Sequence, residues 1–311
     1  MRSTRILFFL FAILIFSSCQ DSQVVSESGL DPLPSWNEGK VKAAILDFVD
    51  NAADPASPYF IAAEDRIAVF DNDGTLWSEK PIYFQLFFAM DRVRELAPQH
   101  PEWNEQQPFK AVLEEDMETL AGYGEHGIME LVMATHAGMT VEEYESIVAD
   151  WIADRKHPRF DRPYTQLVYQ PMLELLDYLR ENGFKTYIVS GGGIDFMRPW
   201  VEGIYGIPRE QVVGSSIQKT FSIEEGIPVI RKNAAIDFIN DKEGKPVGIH
   251  NYIGRKPVFA AGNSDGDLAM LQWTASGEGR RMMLFVHHTD GEREWAYDRN
   301  SSVGRLDKGL D

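Results

Sequence analysis

Residues 68–76 have the sequence Ala-Val-Phe-Asp-Asn-Asp-Gly-Thr-Leu, in which two carboxylates follow an apolar run. In a β-strand, residues i and i+2 face the same side, so Asp71 and Asp73 can address one ligand where the strand ends. Gly74 permits a tight exit and a close approach of the backbone to that ligand. This pattern indicates a phosphoryl-transfer site. The alternative is an acidic turn without metal, because Asp, Asn and Gly are ordinary turn residues.

The composition is typical of a folded soluble protein with one or two domains. Of the 311 residues, 44% are hydrophobic and 25% are charged, and the formal net charge is −18. An acidic surface repels nucleic-acid phosphates, so we expect no nucleic-acid partner. A phosphate group must therefore be bound by local amides, a lysine and a cation, because the overall charge does not attract it.

The first residues have the pattern of an export signal. Arg2 and Arg5 precede an apolar run at residues 6–16, which is too short to cross a bilayer comfortably as a permanent helix. We therefore predict a signal peptide over residues 1–18 and a polar tether over residues 19–34.

Cys19, the only cysteine, follows small residues at the end of this apolar run. The segment resembles the lipobox of bacterial lipoproteins, although Phe16 stands where leucine is usual. The resemblance implies a lipid anchor on Cys19 and a periplasmic lipoprotein, tethered to a membrane without a transmembrane helix. The alternative is an ordinary signal peptide and a soluble periplasmic or secreted protein.

Apolar runs alternate with helical patterns along the rest of the chain. The predicted strands are Arg66–Phe70, Thr186–Val189, Val212–Val213, Pro257–Ala261 and Met282–Val286. Helices are predicted from Ser35 to Val49 and from Pro171 to Asn182, with Gly183 ending the second. The alternation predicts an α/β fold with a parallel sheet covered on both faces, whose ligands bind at the carboxyl ends of the strands.

Between the first two strands, residues 82–162 have an almost wholly helical pattern. Thr140 and Glu143 have the spacing of a capping box, and apolar residues follow them at helical intervals. We therefore predict a helical insertion over residues 81–163.

Three of the predicted strands end in polar residues of the types that phosphate chemistry needs. The first strand ends in Asp71 and Asp73, the second in Ser190 followed by three glycines, and the third in residues 262–267. Lys245 lies between the second and the third. Together they offer a carboxylate nucleophile, donors to phosphoryl oxygens, a cation and oxygen ligands for Mg²⁺.

The order and content of these motifs resemble the haloacid dehalogenase superfamily of phosphohydrolases, over roughly residues 64–290. The motifs of that superfamily are DxDGT, a strand-end Ser or Thr, a Lys and a terminal acidic motif. The resemblance implies a Rossmann-like three-layer core, formed here by residues 35–80 and 164–311. It also implies that residues 81–163 form a helical C1-type cap, of the phosphoserine-phosphatase kind, that closes over the site.

The resemblance also implies a role for each matching residue. Asp71 would be the nucleophile that forms an aspartyl-phosphate, and Asp73 would protonate the leaving oxygen and then activate water. The hydroxyl of Ser190 and the backbone at Gly191 and Gly192 would bind phosphoryl oxygens. A lysine would neutralise charge on them and on the nucleophile.

Magnesium is the implied cofactor. It would bind a side-chain oxygen of Asp71, the backbone carbonyl of Asp73 and the terminal motif. Where many relatives have Gly-Asp in that motif, this chain has Asn263 after the glycine, and an amide oxygen contributes no charge to the metal. The choice among Asn263, Asp265 and Asp267 is open, with Asn263 and Asp267 expected nearer the metal.

Two further residues have competing interpretations. Lys245 is preferred to Lys242 and Lys256 as the catalytic lysine, because it directly precedes Pro246, which can begin a helix. Glu79 could contact a cationic group of the substrate, such as an amine, although a solvent-exposed surface glutamate is the commoner case.

These roles predict a Mg²⁺-dependent phosphomonoester hydrolase that acts on a small phosphorylated metabolite outside the cytoplasm. The alternatives are a metal-independent haloacid dehalogenase, a catalytically silent tethered binding module and a phosphotransferase. Asp73 argues against the dehalogenase, because a halide leaving group needs no proton. The insertion contains no recognisable code for one ester, and the sequence does not predict the oligomeric state.

Overall fold

The computed structural model describes residues 31–311. The predicted signal peptide, Cys19 and most of the predicted tether lie outside these residues. Within the described range, no helix is both long enough and apolar enough for a membrane span.

A six-stranded sheet organises the described part of the chain, with the strand order β4-β3-β2-β1-β5-β6. The strands are β1 Ile67–Phe70, β2 Lys185–Gly193, β3 Val212–Glu224, β4 Ile227–Phe238, β5 Phe259–Gly262 and β6 Met282–Phe285. Neighbouring strands are parallel except for β3 and β4, which are antiparallel. The predicted α/β fold with a mostly parallel sheet is confirmed.

The central strand β1 is buried on both faces, as its unbroken apolar run predicts. Ala68 and Phe70 belong to one hydrophobic cluster, which also includes Phe48. Ile67 and Val69 belong to a second cluster. Because successive side chains of a strand point to opposite faces, the two clusters are the two sides of a three-layer core.

The first helix differs from its prediction at both ends, since it begins at Lys40 and ends at Ala53. The helices that accompany the sheet are α1 Lys40–Ala53, α2 Phe84–Leu96, α3 Phe109–Leu113, α4 Met117–Gly122, α5 Gly124–His136, α6 Val141–Asp154, α7 Gln170–Glu181, α8 Ile194–Met197, α9 Val201–Tyr205, α10 Gly244–Gly248 and α11 Leu268–Ala275. The predicted start of the first helix at Ser35 is wrong, because the amide and hydroxyl of Ser35 bind the Glu174 carboxylate (2.8 and 2.6 Å). Helix α7 agrees with its prediction, and Gly183 has φ +76°, the left-handed conformation that ends many helices.

Helices α2 to α6 form the insertion between β1 and β2. Thr140 caps α6 as predicted: its hydroxyl accepts from the Glu143 amide (3.1 Å), and its own amide donates to the Glu143 carboxylate (2.8 Å). The insertion has a hydrophobic cluster of its own, which includes Trp103 and Phe109. The exact domain boundaries at residues 81 and 163 stay a prediction.

A long β-hairpin, formed by β3 and β4, was not predicted. The sequence prediction placed only Val212–Val213 in a strand, which is the part of β3 that is parallel to β2. Beyond it, β3 pairs with β4, which rejoins the helical insertion through two main-chain hydrogen bonds of 2.9 Å. The Gly138 amide donates to the Lys232 carbonyl, and the Lys232 amide donates to the Met139 carbonyl. The hairpin and helices α2 to α6 are therefore joined through their backbones, and we call them together the cover.

A buried ion pair also ties the hairpin to the core. Lys232 of β4, which is 3% exposed, donates a hydrogen bond to the Asp195 carboxylate at the beginning of α8. Lys219 of β3 lies 3.1 Å from the same carboxylate. Although burial acts to raise the pKa of Asp195, the neighbouring lysines lower it below its ordinary value. The negative charge of Asp195 therefore compensates the buried ammonium of Lys232.

We predict that Asp195→Asn lowers the free energy of unfolding by about 3–5 kcal/mol, because it leaves the Lys232 ammonium buried beside a neutral amide. Asp161→Asn is the matched control, since Asp161 pairs with the exposed Lys156 at 3.2 Å and such surface pairs contribute about 0–1 kcal/mol. Urea denaturation followed by circular dichroism measures both. Equal losses in the two variants would contradict the structural role given to the buried pair.

Candidate active site

The three strand-end motifs and the predicted lysine meet at one point. The Lys245 ammonium, 2% exposed, donates hydrogen bonds to Asp71 Oδ1 (2.7 Å), Asp267 Oδ1 (2.6 Å) and the Val189 carbonyl (2.9 Å). Lys245 lies in α10, Asp71 directly follows β1, and Asp267 follows β5. Segments almost 200 residues apart in the chain therefore converge as the motif spacing predicted.

The other two candidate lysines lie elsewhere. Lys256 donates to the Ser276 hydroxyl (2.9 Å) and lies over the Trp273 ring. Lys242 is 3.9 Å from the Asp241 carboxylate on a partly exposed surface. Neither contacts the Asp71 carboxylate, so the structure supports the choice of Lys245.

The turn after β1 depends on glycine at position 74. Gly74 has φ +74°, a conformation that residues with a side chain rarely adopt. A Cβ atom there would lie 2.1 Å from Asn263 Nδ2 and 2.4 Å from Glu79 Oε1, both too close. The turn is thus pressed against the terminal motif, and this contact brings Asn263 beside the two aspartates.

Burial sets the protonation of the two aspartates. Burial and the neighbouring Asp267 raise the pKa of Asp71 above its ordinary value, while Lys245 opposes that rise. Burial also raises the pKa of Asp73 to about 6, although its carboxylate accepts a hydrogen bond from Trp77 Nε1 (2.9 Å). A carboxyl group with that pKa can give up and take back a proton near neutral pH.

Ser190 and the glycines after it lie beside Asp73. The prediction placed them after the end of the second strand, but they belong to it. Strand β2 continues through Gly193, so these residues form the carboxyl end of β2. The Ser190 hydroxyl accepts from the Gly192 amide (3.0 Å). A Cβ atom at Gly192 would lie 3.3 Å from Ser190 Oγ and 3.7 Å from Asp73 Oδ2. The space that glycine leaves there is therefore bordered by the hydroxyl and by the candidate acid.

Two residues that bind the carboxyl end of β2 were not predicted. Gln85 of α2 accepts a hydrogen bond from the Gly193 amide (2.7 Å). Asn240 donates to the Ser190 carbonyl (2.9 Å) and to the Val213 carbonyl (3.2 Å). Neither has a local sequence signal, because both act through contacts with distant parts of the chain.

The terminal motif separates its two aspartates. Asp267 is fully buried, and its Oδ2 accepts from the amides of Asn263 and Ser264 (both 3.0 Å) while its Oδ1 binds Lys245. Asp265 points to the chain's C-terminal residues, where its Oδ1 accepts from the amides of Asp307 and Gly309 (both 3.0 Å). The structure thus brings Asn263 and Asp267 into the site and places Asp265 outside it.

Glu79 is buried, so its interpretation as a surface glutamate is wrong. It is 1% exposed, and its Oε1 accepts hydrogen bonds from Asn263 Nδ2 and from Tyr297 Oη (both 2.7 Å). Burial raises the pKa of Glu79 to about 7. Tyr297 belongs to residues 287–311, which we call the C-terminal segment. Its contribution to the site was not predicted.

The adjacent His287 and His288 do not form a joint site. His288 is buried, stacks on the Tyr297 ring and lies with Nε2 2.7 Å from the Gly74 carbonyl. His287 is partly exposed and lies 3.6 Å from the Asp298 carboxylate. The two rings therefore have different surroundings, as expected for neighbours that face opposite ways.

The donor set fits a divalent cation. Asp71, Asp73, Asp267 and Glu79 are all in or beside the site, whereas Lys245 is the cation bound between Asp71 and Asp267. Within residues 31–311, no group of three or more His, Cys, Asp or Glu side chains is arranged to hold a metal. Mixed sets of carboxylate, carbonyl and amide oxygens are usual for Mg²⁺, and Asp71, Asp73 and Asn263 offer these three kinds of oxygen.

The solved structures that match this chain include two proteins of unknown function. One, from Bordetella pertussis Tohama I, is 15% identical over 67% of this chain and 86% of its own, with a TM-score of 0.46. A conserved protein of unknown function from Anaerococcus prevotii DSM 20548 is 17% identical over 80% and 86%, with a TM-score of 0.47. A phosphoserine phosphohydrolase-like protein from Francisella tularensis subsp. tularensis SCHU S4 is 16% identical over 72% and 88%, with a TM-score of 0.37.

Among curated proteins, none matches the sequence at a significant level. The model of the haloacid dehalogenase-like hydrolase family matches residues 68–272, which is more than half of the chain. The match begins within β1, before Asp71, and ends in α11, after Asp267. It therefore spans all the motifs that meet around Lys245, and the chain belongs to the haloacid dehalogenase-like hydrolases.

Proposed function

We propose that this protein is a phosphomonoester hydrolase that works through an aspartyl-phosphate on Asp71. The observation that carries the proposal is the Lys245 ammonium, bound to both Asp71 Oδ1 and Asp267 Oδ1 beside Ser190 and Asp73. A nucleophilic carboxylate, a fixed cation, a hydroxyl donor and a carboxyl group of raised pKa are the groups that phosphoryl transfer requires.

In the first half-reaction, an oxygen of Asp71 attacks phosphorus and the bond from phosphorus to the ester oxygen breaks. Asp73 gives its proton to the departing alkoxide, so the product leaves as an alcohol. Ser190 and the adjacent backbone of Gly191 bind the equatorial phosphoryl oxygens. Lys245 compensates the charge that accumulates on them.

In the second half-reaction, Asp73 is a carboxylate and takes a proton from water as the water attacks phosphorus. The bond from phosphorus to Asp71 breaks, inorganic phosphate leaves, and Asp71 is again a free carboxylate. A pKa of about 6 suits both steps, because neither protonation state of Asp73 is costly near neutral pH.

We further propose that the enzyme requires Mg²⁺, held by the Asp71 carboxylate, the Asp73 carbonyl and the Asn263 amide oxygen. The ion would neutralise phosphoryl charge, which the single bound ammonium of Lys245 does not balance alone. Asp267 would position this site indirectly, because its carboxylate accepts hydrogen bonds from the Lys245 ammonium and from the Asn263 amide.

The first test separates the nucleophile from the acid. We expect Asp71→Asn to abolish phosphate release from every ester. Asp73→Asn should lower kcat by roughly 10²–10⁴ for an alkyl phosphate, whose alkoxide needs a proton. It should lower kcat much less for p-nitrophenyl phosphate, whose leaving group is stable as an anion. Asp290→Asn, at a partly exposed ion pair with Arg293, is the control and should keep wild-type rates.

Other outcomes would identify the alternatives. Equal phosphate release by wild type and Asp71→Asn would contradict the proposal and leave a binding module. Release of halide from a haloacid without metal would instead indicate a dehalogenase. Transfer of the phosphoryl group to an added alcohol, detected as a new ester, would indicate a phosphotransferase.

The second test concerns the metal. Mg²⁺ should raise the thermal stability of the wild type, by about 2.7 kcal/mol at a concentration 100 times the dissociation constant, because it binds the folded state. Asp71→Asn should lose most of this increment, since it removes the ligand charge. Asp265→Asn should retain it, because that carboxylate binds the backbone of Asp307 and Gly309. Equal increments in both variants would contradict the ligand set.

We also propose that the substrate is met outside the cytoplasm, where a lipid on Cys19 would anchor the protein to a membrane. The support is the sequence of residues 1–19. In a bacterial host, the wild type should incorporate a palmitate analogue and sediment with membranes, whereas Cys19→Ala should not be labelled. A soluble, unlabelled wild type in the periplasm would indicate the ordinary signal peptide.

A further inference from the structure

A cavity of about 330 Å³ extends from the catalytic carboxylates to the space beneath the helical insertion and the hairpin. Its catalytic end is polar and includes Asp71, Asp73, Ser190 and Lys245. Its walls beyond that end are mainly apolar, and both parts of the cover supply them. Helix α5 contributes Ile128, Met129, Val132 and Met133, and strand β4 contributes Ile236 and Phe238.

The charged side chains on these walls are already paired. Asp195 and Lys232 bind each other, and burial makes separation of that pair costly. Glu79 is engaged by Tyr297 and Asn263. Among the described residues of the lining, Asp195 Oδ1 and the Tyr144 hydroxyl are buried polar atoms without a hydrogen-bond partner. The other charged wall groups would have to give up an existing partner to bind a charged group of the substrate.

The remaining titratable groups of the lining are either neutral or close to the phosphate. Burial lowers the pKa of His136 to about 3, so its ring is uncharged at neutral pH, and it lies 3.3 Å from the Gln85 amide nitrogen. Asp241 lies at the catalytic end, since a Cβ atom at Gly191 would be 3.5 Å from its side chain. The walls farther from phosphorus thus offer apolar contact above all.

We propose that the substrate is the phosphate monoester of an apolar alcohol, whose alkyl or aryl group lies in this cavity. This inference rests on the proposed hydrolase function. Apolar surface that leaves water for such walls favours binding in proportion to its area. An ammonium, carboxylate or polyhydroxylated group would lose its hydration and find few partners on these mainly apolar walls, and that loss is costly. Serine phosphate, choline phosphate and sugar phosphates are therefore poorer substrates.

The test is a series of n-alkyl phosphates from methyl to octyl, with phenyl phosphate and with 6-aminohexyl phosphate as the charged counterpart of hexyl phosphate. We expect kcat/KM to rise about fourfold for each added methylene until the cavity is filled. The aminohexyl ester should be at least tenfold poorer than hexyl phosphate. A flat series would overturn the inference. A preference for the ammonium ester would also overturn it and would indicate Glu79 or Asp241 as the specificity group.

A pair of methionine variants locates the effect. Met133→Gln places an amide on the cavity wall and should weaken the dependence on chain length. Met117→Gln is the control, because Met117 is an exposed methionine of the same insertion and does not line the cavity. Equal chain-length dependence in both variants would contradict a binding role for this wall.

Two further measurements separate this inference from the proposed function. Hydrolysis of methyl phosphate that depends on Asp71, with no gain for longer esters, would refute the inference alone. Absence of any Asp71-dependent hydrolysis would refute the function. Binding of n-alkyl phosphonates, measured by calorimetry, needs no turnover and should tighten with chain length; chain-length independence there would also refute the inference.

Discussion

The Lys245 ammonium between the Asp71 and Asp267 carboxylates is the interaction on which the site depends. It links α10 to the ends of β1 and β5. The catalytic groups can therefore meet only because β1 and β5 are neighbours in the sheet. Burial opposes the charge of Lys245, but the two carboxylates raise its pKa above the ordinary value. Without that cation, the same burial would hold two negative groups close together, and neither could be placed there at low cost.

Support for this centre comes from beyond the family match, which ends at residue 272. Tyr297 donates to the Glu79 carboxylate, and His288 lies against the Gly74 carbonyl. The C-terminal segment thus holds the turn after β1 in place. Lys80 adds a further tie, since its ammonium donates to the Val303 carbonyl (2.9 Å). These contacts fix the backbone that carries Asp73.

The sequence predicted the parts of the site that lie within short motifs at strand ends. Asp71 and Asp267 were found in this way, because ligands bind at the carboxyl ends of parallel strands. Lys245 was preferred for another reason, its position directly before Pro246. The hairpin escaped prediction, since β4 is polar around Arg231–Asn233 and has no unbroken apolar run. Gln85, Tyr297 and the pairing of Asp195 with Lys232 escaped for another reason: each is a long-range contact, which local periodicity does not encode. The start of α1 was missed because Ser35 binds Glu174 instead.

The cover links the acid chemistry to the choice of substrate. Burial is the main cause of the raised pKa of Asp73, and the helical insertion and the hairpin provide much of the surrounding structure. The hairpin stays in place because Lys232 is bound to Asp195 and to the backbone of α5's following loop. The same cover therefore surrounds the candidate acid and lines the cavity in which we propose that an apolar alcohol binds.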